Sequence, residues 1–198
     1  MGRLVVVEQV TLDGVAQSPG RPDEDARDGF DRGGWAMTWF AGDPEGAGAA
    51  MRGSGGTAAF LFGRRTYLDL VGYWLGTSDP NPFADILRGT PKHVVTSTLA
   101  EPLPHPASHR VDGADLVGGV RAVKEQVEGD IVVLGSIQLV HALAAADLVD
   151  AYLLTTVPLL VGPGLRLFDG PPPARLAVSD AFVSPAGSVT ATYTVERG

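Results

Sequence analysis

Apolar and polar positions along the chain follow one regime as far as Asp147 and another after it. Four short runs rich in β-branched and aromatic residues, Leu4 to Leu12 (LVVVEQVTL), Thr57 to Phe62 (TAAFLF), Lys92 to Thr96 (KHVVT) and Ile131 to Gly135 (IVVLG), predict buried strands. Segments with helical spacing lie between and after them. Pro44 to Arg52 predicts a short helix with Asp43 as its N-cap. From Thr66 onward, Tyr67, Leu70, Val71 and Trp74 share a helix face. Asp79 to Arg88 predicts a helix after an Asp-Pro-Asn-Pro turn. Ala114 to Glu128 sets Leu116, Val120 and Val123 against Lys124, Glu125 and Glu128. The stretch to Ala146 carries Ile137, Leu139, Val140, Leu143 and Ala144 at helical positions. After Asp147, Ala151 to Val157, Leu176 to Ser184 and Ser188 to Glu196 predict strands, the last two joined as a hairpin through Pro185-Ala186-Gly187.

Strand–helix alternation followed by strands alone predicts an α/β fold: a mostly parallel central sheet with antiparallel C-terminal strands and flanking helices. The polar stretch Ala16 to Gly34, with the acidic run Asp23-Glu24-Asp25, reads as a solvated loop, and Glu101 to His109 as proline-rich coil. Loops are spread between the apolar runs without one dominant linker, so residues 1–198 are expected to form a single domain.

Composition narrows the function. A formal net charge of -8 argues against nucleic acid or an anionic membrane as partner. The absence of cysteine removes disulfides, thiolate catalysis and Cys-ligated metals, and it suits a reducing cytoplasm. The longest charge-free stretches fall short of the roughly 20 residues of a membrane helix, and no targeting segment is visible. The four histidines lack ligand spacing, so no metal site is expected.

Three predicted strand ends carry groups that suit anions. Gly63-Arg64-Arg65-Thr66 opens a helix and holds the only adjacent basic pair in the chain. Arginines are unfavourable beside the positive end of a helix dipole, and they make sense there if an anion lies between. Pairing with surface carboxylates is the plain alternative. Thr96-Ser97-Thr98 offers hydroxyls, and Gly135-Ser136 turns a strand directly into a helix whose first N–H groups are free. Either group also makes ordinary turns. In an open parallel sheet such ends share one edge, and together they suit a ligand with more than one phosphate. Neither GxGxxG after the first strand nor GxxxxGK[ST] occurs, which excludes the standard Rossmann fingerprint and the P-loop. Trp35, Met37, Trp39 and Phe40 cluster as a packed corner or as the wall of a flat-ligand pocket.

The ordered set TLDGV, FGRRTYLDL, KHVVTSTL, VVLGSIQLVHAL and LVDAYLLTTVPLLVGPGLRLF resembles the dihydrofolate reductase-like superfamily. It is closest to the branch holding the C-terminal reductase domain of the riboflavin-biosynthesis deaminase–reductase and its stand-alone bacterial relatives. The resemblance covers nearly the whole chain and implies a dihydrofolate reductase-like fold with NADPH across the parallel strand ends. It assigns Gly63, Arg64, Arg65 and Thr66 to cofactor phosphates, and Thr96, Ser97 and Thr98 to the adenosine 2′-phosphate. Gly135, Ser136, Ile137 and Gln138 match the turn beneath pyrophosphate and nicotinamide, and Asp13 and Gly14 the element beside the reacting ring. Ser136 departs from the usual second glycine and Thr11 from the usual Ser. No counterpart of the folate-protonating carboxylate can be placed, since Asp43 and Glu45 are out of register. Ala16 to Gly34 does not match the riboflavin enzyme's substrate loop.

The expectation is therefore a cytoplasmic NADPH-dependent reductase passing hydride to a small planar heterocycle or carbonyl compound of pteridine or pyrimidine type. Asp13 is the candidate for substrate orientation or proton supply, or a turn Asp before Gly. Trp35, Phe40 and Tyr67 are candidates for the substrate pocket. Two alternatives stand beside it: a riboflavin-biosynthesis 5-amino-6-(5-phosphoribosylamino)uracil reductase, and a non-catalytic nucleotide-binding protein of the same fold. The first would need a further cation, with Arg21, Arg27, Arg32 and Arg166 as equal candidates. The resemblance implies a homodimer, for which the apolar Leu153–Leu160 run offers a surface; the residues alone fit a monomer equally.

Overall fold

The structure, a computed structural model, describes residues 1–52, 56–78, 82–170 and 172–197. Its strands are β1 (Arg3–Thr11), β2 (Thr57–Gly63), β3 (Lys92–Thr96), β4 (Ser108–Asp112), β5 (Asp130–Val133), β6 (Ala151–Val157), β7 (Arg175–Val183) and β8 (Val189–Glu196). They form a sheet in the order β4-β3-β2-β5-β1-β6-β8-β7. β2 runs parallel to β3 and β5, and β3 parallel to β4, whereas β8 is antiparallel to both β6 and β7. This is the expected α/β architecture, a mostly parallel sheet closed by antiparallel C-terminal strands.

The helices are α1 (Trp35–Phe40), α2 (Pro44–Met51), α3 (residues 64–76), α4 (Pro82–Gly89), α5 (Leu116–Gln126) and α6 (Ile137–Ala145). The helical run α3 begins at Arg64–Thr66, widens to π geometry over Tyr67–Val71 and ends as Gly72–Gly76. Residues 79–81, where the turn and start of the fourth helix were expected, and Pro171 of the proline run lie outside the described residues.

The chain forms two compact units. Unit 1 comprises residues 1–5 and 54–149, and unit 2 comprises 6–53 and 150–198. In unit 1, Phe60 and Phe62 project from one face of β2 and stack at 5.4 Å. Tyr67 packs against Phe62 and meets His105 edge-on at 5.1 Å. Phe60, Phe62 and Tyr67 are all fully buried. At about 1.5–3 kcal/mol for each buried side chain, the burial of Tyr67 against Phe62 helps to hold α3 to the sheet. On the same face Lys92 is fully buried, its ammonium donating to the carbonyls of Leu87 and Thr90 at the end of α4.

In unit 2, Val15, Phe30, Trp35, Ala36, Phe40, Ala50, Val157 and Val161 form one apolar cluster. The expected solvated loop 16–34 is corrected here: Ala16, Gln17, Ser18 and Phe30 are buried. Gln17 makes that possible. Its amide donates to the carbonyls of Asp25 and Arg27 and accepts from the Leu165 N–H, while its own carbonyl takes the Trp35 indole N–H at 2.8 Å. The expected coil 101–109 is also corrected, because its end enters β4, an edge strand whose one buried residue is Val111. β7 is the other edge, and its described side chains are exposed along almost its whole length.

Candidate functional site

The three strand ends singled out in the sequence belong to β2, β3 and β5, which are adjacent in unit 1 and parallel. The Gly63 N–H points to the Gly135 carbonyl at 3.5 Å, and a Cβ on Gly63 would lie 2.6 Å from Ser136 Oγ. So the β2 and β5 turns touch, and the close approach needs glycine at 63. The Gly135–Ser136 peptide is cis. Ser136 caps α6, its hydroxyl accepting from the Leu139 N–H at 3.4 Å. Ile137 is half-buried and Gln138 exposed at the start of that helix.

Arg64 and Arg65 are exposed beside this turn. Their side chains form no ion pair or hydrogen bond among the described residues, so the alternative of pairing with surface carboxylates does not hold there. Thr66 is half-buried. The hydroxyl run divides. Thr96 is buried and its hydroxyl accepts from the Thr98 and Leu99 N–H groups at 3.1 Å, so it closes the turn instead of facing a ligand. Ser97 and Thr98 are exposed, with Gly113 packed tightly on Ser97: a Cβ there would lie 2.5 Å from Ser97 Oγ. Tyr67, expected to wall a substrate pocket, takes a core position. It is fully buried and its hydroxyl accepts from the His105 N–H at 3.0 Å.

The other candidates lie in unit 2. Asp13 accepts from the Thr11 hydroxyl at 2.5 Å, from the Gly162 N–H at 2.7 Å and from the Val161 N–H at 3.3 Å. The Thr11 hydroxyl holds the Asp13 carboxyl below the usual aspartate range; the smaller effect of burial opposes this, and the Gly162 and Val161 N–H groups reinforce it. An ionised carboxylate with both oxygens engaged is a poor proton source at neutral pH. Its geometry is that of a latch holding the backbone of Val161 and Gly162 to the end of β1, the turn role that stood beside proton supply.

Trp35 and Phe40 part company. Phe40 belongs to the apolar cluster. Trp35 both joins that cluster and borders a cavity of about 540 Å³, shared with Arg32, Thr38, Trp39, Leu159 and Ala186. A second cavity of about 370 Å³ lies beside Arg27, Asp28, Phe30 and Pro163. Beneath α1, the buried Asp43 caps α2 through the Gly46 N–H and accepts from Ser184, Ser188 and the Trp39 indole. Burial pushes this carboxyl up, but the hydroxyls of Ser188 and Ser184, with Gly46 and Trp39, outweigh it and hold the group below the usual range. The cap was legible from Asp-Pro at a helix start. The serines were not, because nothing local marks residues some 140 positions away as its partners.

Among the described residues, no group of three or more His, Asp or Glu could hold a metal ion, and no helix is long and apolar enough to cross a membrane.

The profile of the RibD C-terminal domain matches residues 3–190. The chain belongs to that family. Membership in the RibD C-terminal domain family places it among oxidoreductases. Similar solved structures include a riboflavin biosynthesis protein from Shewanella sp. PV-4, at 18% identity over 100% of both chains with a TM-score of 0.60. A dihydrofolate reductase from Enterococcus faecalis complexed with NADP(H) is 15% identical over 99% of this chain and 98% of that one, with a TM-score of 0.62. A pyrimidine reductase-like protein from Corynebacterium diphtheriae is 13% identical over 100% of this chain and 93% of that one, with a TM-score of 0.59. At these identities the likeness establishes the dihydrofolate reductase-like fold. No curated protein matches this sequence.

Proposed function

We propose that this RibD C-terminal domain protein is an NADPH-dependent reductase acting on a small planar compound. The observation that carries the reading is the exposed pair Arg64 and Arg65, without a protein partner among the described residues, beside a turn where Gly63 and Gly135 meet without side chains. Unpaired guanidinium forks are suited to phosphate oxygens. Gly63 lets the two strand ends pack together, and α6 directs its N-terminal N–H groups from the same turn. These residues fit a dinucleotide phosphate. When bound, NADPH would supply the hydride. Ser97 and Thr98 would add hydroxyl contacts from the adjacent strand end, whereas Thr96 would support them through the turn. In unit 2, the cavity beside Trp35 and Trp39 is the candidate for the planar substrate.

A riboflavin-pathway aminopyrimidine reductase is the second reading, favoured by the family and by the name of the Shewanella protein.

Calorimetric titration with NADPH and NADH at two salt concentrations tests the proposal. NADPH should bind more tightly, its affinity should fall as salt rises, and the Arg64→Ala/Arg65→Ala double variant should lose most of the preference. Failure of either nucleotide to bind at millimolar concentration would sink the reading.

A further inference from the structure

The cavity beside α1 has a definite chemical character. Two indole rings form its wall, and both indole N–H groups are already committed, Trp35 to the Gln17 carbonyl at 2.8 Å and Trp39 to Asp43 at 3.3 Å. Thr38 spends its hydroxyl proton on the Gly34 carbonyl at 2.9 Å. Leu159 and Ala186 add apolar surface. The side chains around this space therefore offer it little beyond flat, apolar area, with one exception. Among the described residues, Arg32 is the only charged one lining the cavity, and no carboxylate lines it.

Of the four arginines that could supply a second cationic grip, the structure separates Arg32 from the rest. Arg27 is clamped by both oxygens of Asp25, which raises the guanidinium's pKa and offsets its positive charge with a carboxylate. Arg21 pairs with Asp23 at 3.4 Å, and Arg166 has partners of its own. Arg32 donates one N–H to the Val161 carbonyl, which fixes the side chain's direction. Its remaining partner is Asp31 at 3.8 Å, with the two side chains 58% and 88% exposed. A pair that long and that wet holds its partners weakly and yields to a better-placed anion. Arg32 thus combines a fixed position with unspent donors at the rim of an aromatic cavity of about 540 Å³, within the range of small-molecule sites.

We propose that this cavity selects an aromatic or similarly flat compound bearing an anionic group, with the ring against Trp35 and Trp39 and the anion on Arg32. A neutral ring lacks the anchor, and a cationic ring meets a like charge. Arg32 is then the specificity-determining residue of unit 2. The inference rests on the reductase reading only in calling the ligand a substrate; binding itself can be measured with no nucleotide present.

The test titrates the full chain by calorimetry with three probes of one shape: 2-naphthoate, 2-naphthylmethanol and 2-naphthylmethylammonium. The expected result is that 2-naphthoate binds at least about tenfold more tightly than the other two. Rising salt should erode the difference. Arg32→Ala should bring the three probes level, and Arg32→Lys should retain part of the preference. Ala186→Trp, on an exposed turn, should block the cavity and abolish 2-naphthoate binding. The inference is overturned if 2-naphthoate fails to bind, or if all three bind alike. It is equally overturned if the preference survives Arg32→Ala or if Ala186→Trp changes nothing. Should Arg32→Ala not fold, a preference indifferent to salt and to Arg32→Lys overturns it. The two readings fail separately: absence of NADPH binding removes the reductase, and absence of an Arg32-dependent anion preference removes this inference.

Discussion

Gly63 and Ser136 occupy each other's space so closely that the chemistry of one position sets the limit on the other. A Cβ at 63 would fall 2.6 Å from Ser136 Oγ, 3.3 Å from its Cβ and 3.4 Å from its N. The Gly63 backbone itself, at φ -75°, suits any residue, so the constraint is contact and not conformation. Gly63→Ala is therefore expected to destabilise by about 1–3 kcal/mol through overpacking. Ser136→Gly removes the obstructing hydroxymethyl and costs only a few tenths of a kcal/mol as an N-cap change. The double variant should recover most of the Gly63→Ala loss, a coupling that urea denaturation of the four proteins would measure. Equal losses in the presence and absence of Ser136 would show that the clash is not with its side chain. The same comparison explains why the second glycine of the family's turn can be a serine here: the space is taken from the neighbouring strand end, which must then stay glycine.

At the scale of elements, Asp43 joins α2 to the β7–β8 turn through Ser184 and Ser188. An amide at 43 has only one accepting oxygen where the carboxylate has two, and its NH₂ faces hydroxyl donors. Asp43→Asn should lower the thermal midpoint at neutral pH. The folded-state pKa is depressed below the ordinary aspartate value of 3.8, so its contribution is complete above that value and is lost as pH falls through the lower folded value. The variant's stability should accordingly decline less than the parent's between pH 5 and strongly acidic solution, as followed by circular dichroism at each pH; parallel declines would refute the assignment. Gly46 belongs to this arrangement, because a Cβ there would sit 2.2 Å from both Asp43 Oδ2 and Ser188 Oγ. Much of this level was legible in the sequence. β3 and β6 fall at their expected residues, and the Asp43 cap is where Asp-Pro placed it. The failures have a common cause. β4 buries a single side chain, so no alternation marks it, and the loop 16–34 is held inward by Gln17, a polar residue whose side chain bonds two carbonyls of its own loop and the distant Leu165 N–H. The turn role of Thr96 was not legible for a related reason, since a hydroxyl at a strand end looks the same whether it meets a ligand or its own turn.

Across the whole molecule, neither unit is a continuous stretch of chain. Unit 1 needs residues 1–5, where Leu4 and Val5 are buried, the Gly2 N–H bonds the Lys124 carbonyl at 2.6 Å and Arg3 grips Asp130 with two bonds of 3.0 Å. A fragment of residues 54–149 lacks all of these and leaves β5 without its β1 neighbour. It should fail to unfold cooperatively, whereas residues 1–5 joined to 54–149 by a flexible linker should show a sigmoidal urea transition. Cooperative unfolding of the bare fragment would show that β1 is dispensable to the unit.

Interleaving of this kind also bears on how the polypeptide is made. As the chain emerges from the ribosome, β1 leaves the tunnel before any of its neighbours in the sheet. Residues 6–53 follow, but their partners from 150 onward are synthesised only after all of unit 1. The unit bearing Arg64 and Arg65 can close once Val149 has cleared the exit tunnel, while the other must wait for its final strands. Translation therefore imposes an order of assembly, the unit of Arg64 and Arg65 first, and for that interval the newborn chain must keep Val10, Val15 and Phe30 from other company.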